Sequence, residues 1–242
     1  MTLPERIDVV VPAHDEEDGI AGCLGALADA AGLLARSHPD VTVAVTVVLD
    51  GCTDRTAARL HAAAAAEPLW RTVPLDVVET DRLGVGRARA VGTTRALASG
   101  PAPADRWLGH TDADSRVDPG WLVQQVAAHV DGAHLLVGAV VPDPDDLDPA
   151  VLARWRRAHP PGSTLGHVHG ANLGIRADVS VALGGFDPVP EHEDVRLVER
   201  ARALGYDVRA TTDLPVVTSG RFDGRTPGGY AEHLRITYGD AS

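Results

Sequence analysis

An apolar run that stops abruptly at two carboxylates constrains this chain more than any other feature. Trp107-Leu108-Gly109-His110-Thr111 leads into Asp112-Ala113-Asp114, and Asp118-Pro119 follows. The run reads as a short buried strand. Asp118 reads as an N-cap with Pro119 at the first helical position, so a helix is expected from about Pro119 to Val130. The two acids then lie on the loop at the carboxyl end of the strand, where open α/β sheets bind their ligands. Such a pair repels itself unless a cation lies close by, and the chain contains no Lys. Hard oxygen donors suit Mg²⁺ or Mn²⁺, which bind through one or two carboxylates plus substrate phosphates. An isolated D-x-D is more often a pair of solvated loop aspartates, so its company decides.

The preceding residues supply that company. Ile7 to Val11 is a β-branched run broken only by Asp8, and it ends at Pro12, before His14-Asp15-Glu16-Glu17. Ile20, Leu24, Leu27, Ala31 and Leu34 then recur at helical spacing, to about Ala35. Val41 to Leu49 is a second strand, ending in Asp50-Gly51-Cys52-Thr53-Asp54, and an Ala-rich helix runs to about Ala66. Val73 to Val78 is a third, followed by Gly84, Gly86 and a helix over Arg87 to Ala98. Strand and helix in alternation give a mostly parallel sheet with right-handed crossovers. Acids follow three of these strands, so they should converge along one sheet edge.

The second half is less regular. His134 to Val141 reads as a strand. Asp143-Pro144-Asp145-Asp146-Leu147-Asp148-Pro149 reads as a solvated connection, and Pro149 to His159 as a short helix. After His167-Val168-His169-Gly170-Ala171-Asn172, a helix opens at Glu193-Asp194, with Val195, Val198 and Leu204 expected inward and Gly205 closing it. Val208 and Leu214 to Thr218 are strand-like, and one more helix is expected near Gly229 to Thr237. No repeat or linker divides the 242 residues. They read as one continuous α/β domain with two functional halves, over about 1–115 and about 116–242.

Several classes are disfavoured. The net charge of −12 and the lack of a basic stripe argue against nucleic acid as a partner. No apolar run reaches the ~18 residues of a membrane span, and no leader pattern is visible at the start. Cys23 and Cys52 do not form a disulfide framework, which fits a reducing cytosol. A cytoplasmic location, at most peripheral to a membrane, is expected. Gly84-Val85-Gly86-Arg87-Ala88-Arg89 lacks the third glycine and the first-strand context of a dinucleotide fingerprint. It can still hold a diphosphate through N–H groups and guanidinium. His167 and His169 suit a polar pocket better than zinc, which wants more ligands. Acids are common in a first helical turn, but Glu193 or Asp194 could also serve as a general base.

Taken together and in order, Val9 through Glu17, Asp50 through Asp54, Gly84 through Arg89, Asp112-Ala113-Asp114, Gly170-Ala171-Asn172 with Gly184-Gly185-Phe186, and Glu193-Asp194 resemble the family 2 glycosyltransferases of the GT-A fold. The resemblance implies a Rossmann-type nucleotide-binding half continuous with an acceptor-binding half. It implies transfer of a sugar from a nucleotide-diphosphate-sugar to an acceptor hydroxyl, with inversion. Pro12, Ala13, His14, Asp15, Glu16, Asp50, Gly84, Arg89 and Asp112 would line the donor site. Asp114, with Asp112, would hold Mg²⁺ or Mn²⁺. His169, Gly170, Ala171 and Asn172 would border the acceptor, a small molecule or a lipid-linked one. Asp194, beside Glu193, would be the catalytic base. The chain departs from the pattern at Leu49, where many relatives carry Asp, and at Thr218, where some carry a metal-ligating His. Two other readings compete: a non-catalytic nucleotide-sugar-binding module, and a sugar-nucleotide pyrophosphorylase, for which the glycine-rich first loop and Lys are missing.

Overall fold

The computed structural model describes residues 2–189, 191–224 and 229–239. Its frame is an eight-stranded sheet. The strands are β1 (Arg6–Ala13), β2 (Thr42–Asp50), β3 (Leu75–Thr80), β4 (Arg106–His110), β5 (Ser115–Arg116), β6 (Leu135–Pro142), β7 (Leu173–Arg176) and β8 (Val208–Thr218). Their order is β3-β2-β1-β4-β7-β6-β8-β5. The first four are parallel neighbours. β7 runs antiparallel to β4 and β6, and β8 returns parallel to β6. The sheet therefore runs unbroken from the first half of the chain into the second.

Helices cover both faces. They are α1 (Ile20–Ser37), α2 (Thr56–Ala66), α3 (Val85–Leu97), α4 (Trp121–Val130), α5 (Pro149–Ala158), α6 (Ala177–Ala182), α7 (Glu193–Ala203) and α8 (Tyr230–Tyr238). One core joins α1 and α4 to the sheet through Leu24, Leu27, Leu34, Trp107, Trp121 and Leu122. The other face packs Leu108, Leu173, Ile175, Phe186, Leu197 and Val198. Buried on both sides, β1 and β2 read as continuous apolar runs, as parallel strands do. By length and composition, α1 could cross a membrane. Its buried residues Ile20, Leu24, Leu27, Ala31 and Leu34 instead form part of the core.

Several local expectations are corrected. Helix α4 begins at Trp121, later than Pro119, because the Asp118 carboxylate first closes a turn onto the Gly120 N–H at 2.7 Å. Leu204 is 65% exposed, one residue past the end of α7. The left-handed Gly205 (φ 80°) reverses the chain there, so the inward contacts come from Leu197, Val198 and Ala201. Asp8, the polar break in β1, is 1% exposed. It accepts from Arg106 Nε at 2.8 Å and from Arg6 Nε at 2.7 Å. Both guanidinium groups also donate to the Ala96 and Ser99 carbonyls around the end of α3. That is the end of a helix where cations are favoured. The Asp143–Asp148 loop is not simply solvated. Asp143 is buried and accepts from Arg116 at 2.6 Å.

Two predictions follow from this packing. Gly92 lies where α3 crosses the sheet. A Cβ there would stand 2.5 Å from Val10 Cγ1 and 2.9 Å from Val48 Cγ2. Alanine is the better helix former by roughly 1 kcal/mol, yet Gly92→Ala should lower stability by about 1–3 kcal/mol through overpacking, read by urea unfolding. His129 is 2% exposed, its Nδ1 has no hydrogen-bond partner among the described residues, and its ring stands edge-on to Trp107. Burial, helped by the Arg176 charge, holds its pKa below the ordinary value of 6.5. The folded state disfavours the protonated ring, so this contribution to stability is present above pH 6.5 and lost as pH falls below it. His129→Gln should make melting temperature fall less steeply between pH 7 and 5; an unchanged slope would refute the assignment.

Candidate active site

The carboxyl ends of β1, β2 and β4, the end of β8 and the start of α7 surround a cavity of about 1000 Å³. Ligand pockets reach this size at their upper end, roughly 300–1,000 Å³. Its lining includes Pro12, Ala13, His14, Glu16, Asp50, Gly84, Arg89, Asp112, Asp114, His169, Gly170, Ala171, Glu193 and Asp194. Residues 182 positions apart in the chain thus meet in one space. Asp15 and Asn172 are not among the lining residues.

Each position has a local cause. Asp50 accepts from Thr80 Oγ1 at 3.0 Å, Leu83 N–H at 2.7 Å and Gly84 N–H at 2.8 Å. Its carboxylate holds the glycine loop against the end of β2. Gly84 has φ 88°, the left-handed region that favours glycine, and opens α3. Asp15, itself at φ 52°, accepts from Thr53 and Asp54 backbone N–H groups and clamps the β1 and β2 loops together. Those contacts lower its pKa, the Thr53 N–H most of all. His14 Nδ1 lies 2.6 Å from the Asp50 carbonyl. Asn172 is 1% exposed. Its amide accepts from Trp121 Nε1 at 2.8 Å and donates to the Ala139 carbonyl at 2.8 Å, filling space that Gly138 leaves open. Sequence position puts Asn172 beside an acceptor; its hydrogen bonds turn it into the core.

Arg89 lines the cavity, yet its guanidinium is engaged by the protein itself. It is 2% exposed and faces into the protein. Nε donates to Glu193 at 3.0 Å, Nη1 to the Gly170 carbonyl at 3.0 Å, and Nη2 to Asp112 at 2.5 Å. One guanidinium therefore ties the Asp-x-Asp loop, the Gly170 turn and the start of α7 together. Burial pushes the Glu193 pKa up, with Arg89 opposing the rise. Gly170 must be glycine, since a Cβ there would lie 2.4 Å from Arg89 Nη2. The Gly170 N–H donates to Asp194 Oδ2 at 2.6 Å. The neighbouring His169 is held below its ordinary range by burial, with the Asp194 charge opposing.

Asp114 lies on the other side of the corner. It accepts from Ser115 Oγ and from Thr218 Oγ1, each at 3.3 Å. Arg221 Nη2 is 3.2 Å from its Oδ2, and both Nη groups of Arg221 hold Glu16. Burial, then the charges of Glu16 and Asp112, push the Asp114 pKa up to about 7, with Arg221 pulling the other way. The carboxylates at 112 and 114 have the chemistry for Mg²⁺ or Mn²⁺, but here each already faces a guanidinium. Among the described residues, no three His, Cys, Asp or Glu side chains are grouped to hold a metal ion. As they stand both acids are paired, so Mg²⁺ or Mn²⁺ would have to displace Arg89 from Asp112 and Arg221 from Asp114 to be held there.

Sequence reasoning missed one wall of the cavity. Trp155, His159, Tyr230 and His233 line it beyond His167 and His169. The Trp155 and His159 rings stack at 4.5 Å. The aromatic residues at 155 and 230 belong to α5 and α8, which pack on each other far from the recognised motifs.

The model of Glycosyl transferase family 2 matches residues 8–182. No curated protein matches the chain in sequence. Among solved structures, a mannosyltransferase from Pyrobaculum calidifontis in complex with GDP-Man and Mn²⁺ superposes with TM-score 0.65 at 19% identity, over 97% of this chain and 69% of that one. S. aureus TarS residues 1–349 give 0.60 at 15% identity, over 89% and 60%. Glucosyl-3-phosphoglycerate synthase from Mycobacterium tuberculosis, in complex with phosphoglyceric acid, gives 0.56 at 19%, over 98% and 81%. At these identities the likeness establishes a shared fold.

The three-way tie through Arg89 yields a prediction. Arg89→Met leaves Glu193 and Asp112 without their cation, and breaking a buried pair typically costs about 3–5 kcal/mol. Adding Glu193→Gln removes one orphaned charge, so the double variant should be more stable than Arg89→Met alone. Urea unfolding of the four proteins checks this; strict additivity would mean Arg89 and Glu193 do not interact.

Proposed function

The chain belongs to glycosyl transferase family 2, and from that premise we propose that it moves a sugar from a nucleotide-diphosphate-sugar to an acceptor hydroxyl with inversion at the anomeric carbon. The observation that carries the reading is the single cavity in which Asp194 and the Asp112–Asp114 corner meet. The donor's nucleoside would lie along Pro12, Ala13 and His14 and the glycine loop that Asp50 holds. Its diphosphate would lie toward Asp112 and Asp114. The acceptor would enter past His169, Gly170 and the ring-lined wall, as a small molecule or as a lipid-linked one.

Asp194 is the proposed general base. The Gly170 N–H fixes one of its oxygens and the Val195 N–H the other. Each oxygen keeps a lone pair for an incoming hydroxyl. Inversion is a single displacement. The acceptor oxygen attacks the anomeric carbon, its proton passes to Asp194, and the carbon–oxygen bond to the diphosphate breaks with its electrons going to the phosphate. No covalent enzyme intermediate is needed. Glu193 is not equivalent to its neighbour. It is 4% exposed and held by Arg89, so it positions the site.

The test uses water as the acceptor. The protein is incubated with UDP-, GDP- and dTDP-sugars, and nucleoside diphosphate release is followed. One donor should be hydrolysed slowly, and Asp194→Asn should reduce that rate by about 10²–10⁴-fold, while the dissociation constant for the nucleotide changes by less than about two-fold. Release at the parental rate by Asp194→Asn would remove it as the base. Absence of binding by every nucleotide would overturn the donor site.

A further inference from the structure

A diphosphate leaving group must meet positive charge as its bond to the sugar breaks. The corner proposed for it is lined by Glu16, Asp112 and Asp114, all acids. Arg89 is buried, and its guanidinium is fully engaged by Glu193, Gly170 and Asp112. Arg82 and Arg87 line the same cavity but stand exposed on the loop and first turn of α3. Arg221 is different. It lines the cavity, reaches Asp114 directly, and is gripped by both oxygens of Glu16.

Its approach is built by the chain on either side. β5 pairs with the end of β8, Ser115 opposite Thr218, which brings the turn after β8 to the Asp-x-Asp loop. That turn is then pinned from outside. Asp146 accepts from Ser219 Oγ and from the Gly220 N–H, both at 2.8 Å. The Asp143 N–H donates to the Thr218 carbonyl at 2.7 Å. A Cβ at Gly220 would lie 3.0 Å from the Asp143 carbonyl, so the two loops are in close contact. The acidic loop at 143–148 thus acts as a bracket for Arg221. The two bonds to Glu16 orient the guanidinium fork, while the 3.2 Å approach to Asp114 is its looser contact. Nε is buried without a hydrogen-bond partner among the described residues.

We infer that Arg221 is the resident cation of the diphosphate subsite, so that this chain holds its nucleotide-diphosphate donor without needing a divalent ion. The inference rests on the glycosyl-transfer reading above. Arg221 turns from Asp114 to a phosphate oxygen while Glu16 keeps the fork in place. A guanidinium meets two phosphate oxygens at once, which a compact ammonium does not. In the transfer step Arg221 makes and breaks no covalent bond. It faces the oxygen that receives the electron pair of the departing carbon–oxygen bond.

Calorimetric titration with UDP, GDP and dTDP tests this on the intact chain, first in EDTA and then with Mn²⁺. The expected result is that at least one nucleotide binds in EDTA, with a dissociation constant within about three-fold of its Mn²⁺ value. Arg221→Gln should weaken binding in EDTA by about ten- to hundred-fold, as loss of a charge-assisted contact does. The vacated corner, with Glu16 and Asp114 unopposed beside Asp112, should then take Mn²⁺, so the ion restores binding to this variant alone. Should Arg221→Gln fail to fold, Arg221→Lys carries the test. It keeps the charge and loses the fork, so binding in EDTA should weaken by about three- to ten-fold. Wild-type binding that appears only with Mn²⁺ would overturn the inference and leave glycosyl transfer standing. Binding in EDTA that neither variant weakens would also overturn it. No binding under any condition would overturn both readings.

Discussion

The active-site architecture depends on one buried guanidinium. Arg89 stands in the second turn of α3 and binds three segments at once: the loop after β4, the turn at Gly170 and the start of α7. A buried ion pair adds little net stability when compared with a well-packed apolar replacement. Its value here is geometric. Five N–H donors in a rigid plane fix three partners at set directions, and a Lys could not. His110 shares this environment, with burial and then the Arg89 charge pushing its pKa down to about 3. A neutral imidazole beside Arg89 leaves the guanidinium's charge to its two carboxylates.

The same principle recurs at lower stakes. Where the sheet's lower edge needs order, Arg106 and Arg6 share Asp8. Where the cavity needs it, Arg221 joins Glu16 to Asp114. A chain with Arg as its only strong cation and an excess of acids has used guanidinium at three corners, two of them fully buried. Composition permits this without requiring it: uniform Arg use alone could reflect nothing more than coding bias. The burial of 89 and 106, each 2% exposed or less, separates the structural arginines from the solvated ones.

The sheet was legible because its strands are long β-branched runs, each ended by an acid or a proline. Convergence of Asp50, Asp112 and Glu16 followed from topology alone, since parallel strands share a carboxyl edge. What could not be read was which way a side chain turns after the strand ends. Asp15, Asp50 and Asn172 sit in the right loops, yet their polar atoms serve neighbouring backbone or core groups. Sequence spacing gives the loop and not the rotamer. The Asp143–Asp148 loop is legible only in part for a related reason: most of it is exposed, but Asp143 and Leu147 are buried, and a run of acids and prolines does not disclose its partner. That partner, the turn at Ser219 and Gly220, lies some seventy residues downstream.

Glycine positions carry part of the missing information. Gly19 admits the Asp114 backbone at 2.8 Å from where a Cβ would be, Gly86 admits the Asp187 carbonyl at 2.7 Å, and Gly170 admits Arg89. None of these three has a left-handed φ, so backbone freedom does not explain them. Each marks a place where one site element presses on another. Gly84 and Gly205, by contrast, are left-handed and have open space around them. A glycine that a turn requires and a glycine that a neighbour requires look alike in sequence. At Gly19, Gly86 and Gly170 the second kind marks where loops and a helix start meet around the site too closely for a methyl group, as Gly92 marks where α3 meets the sheet.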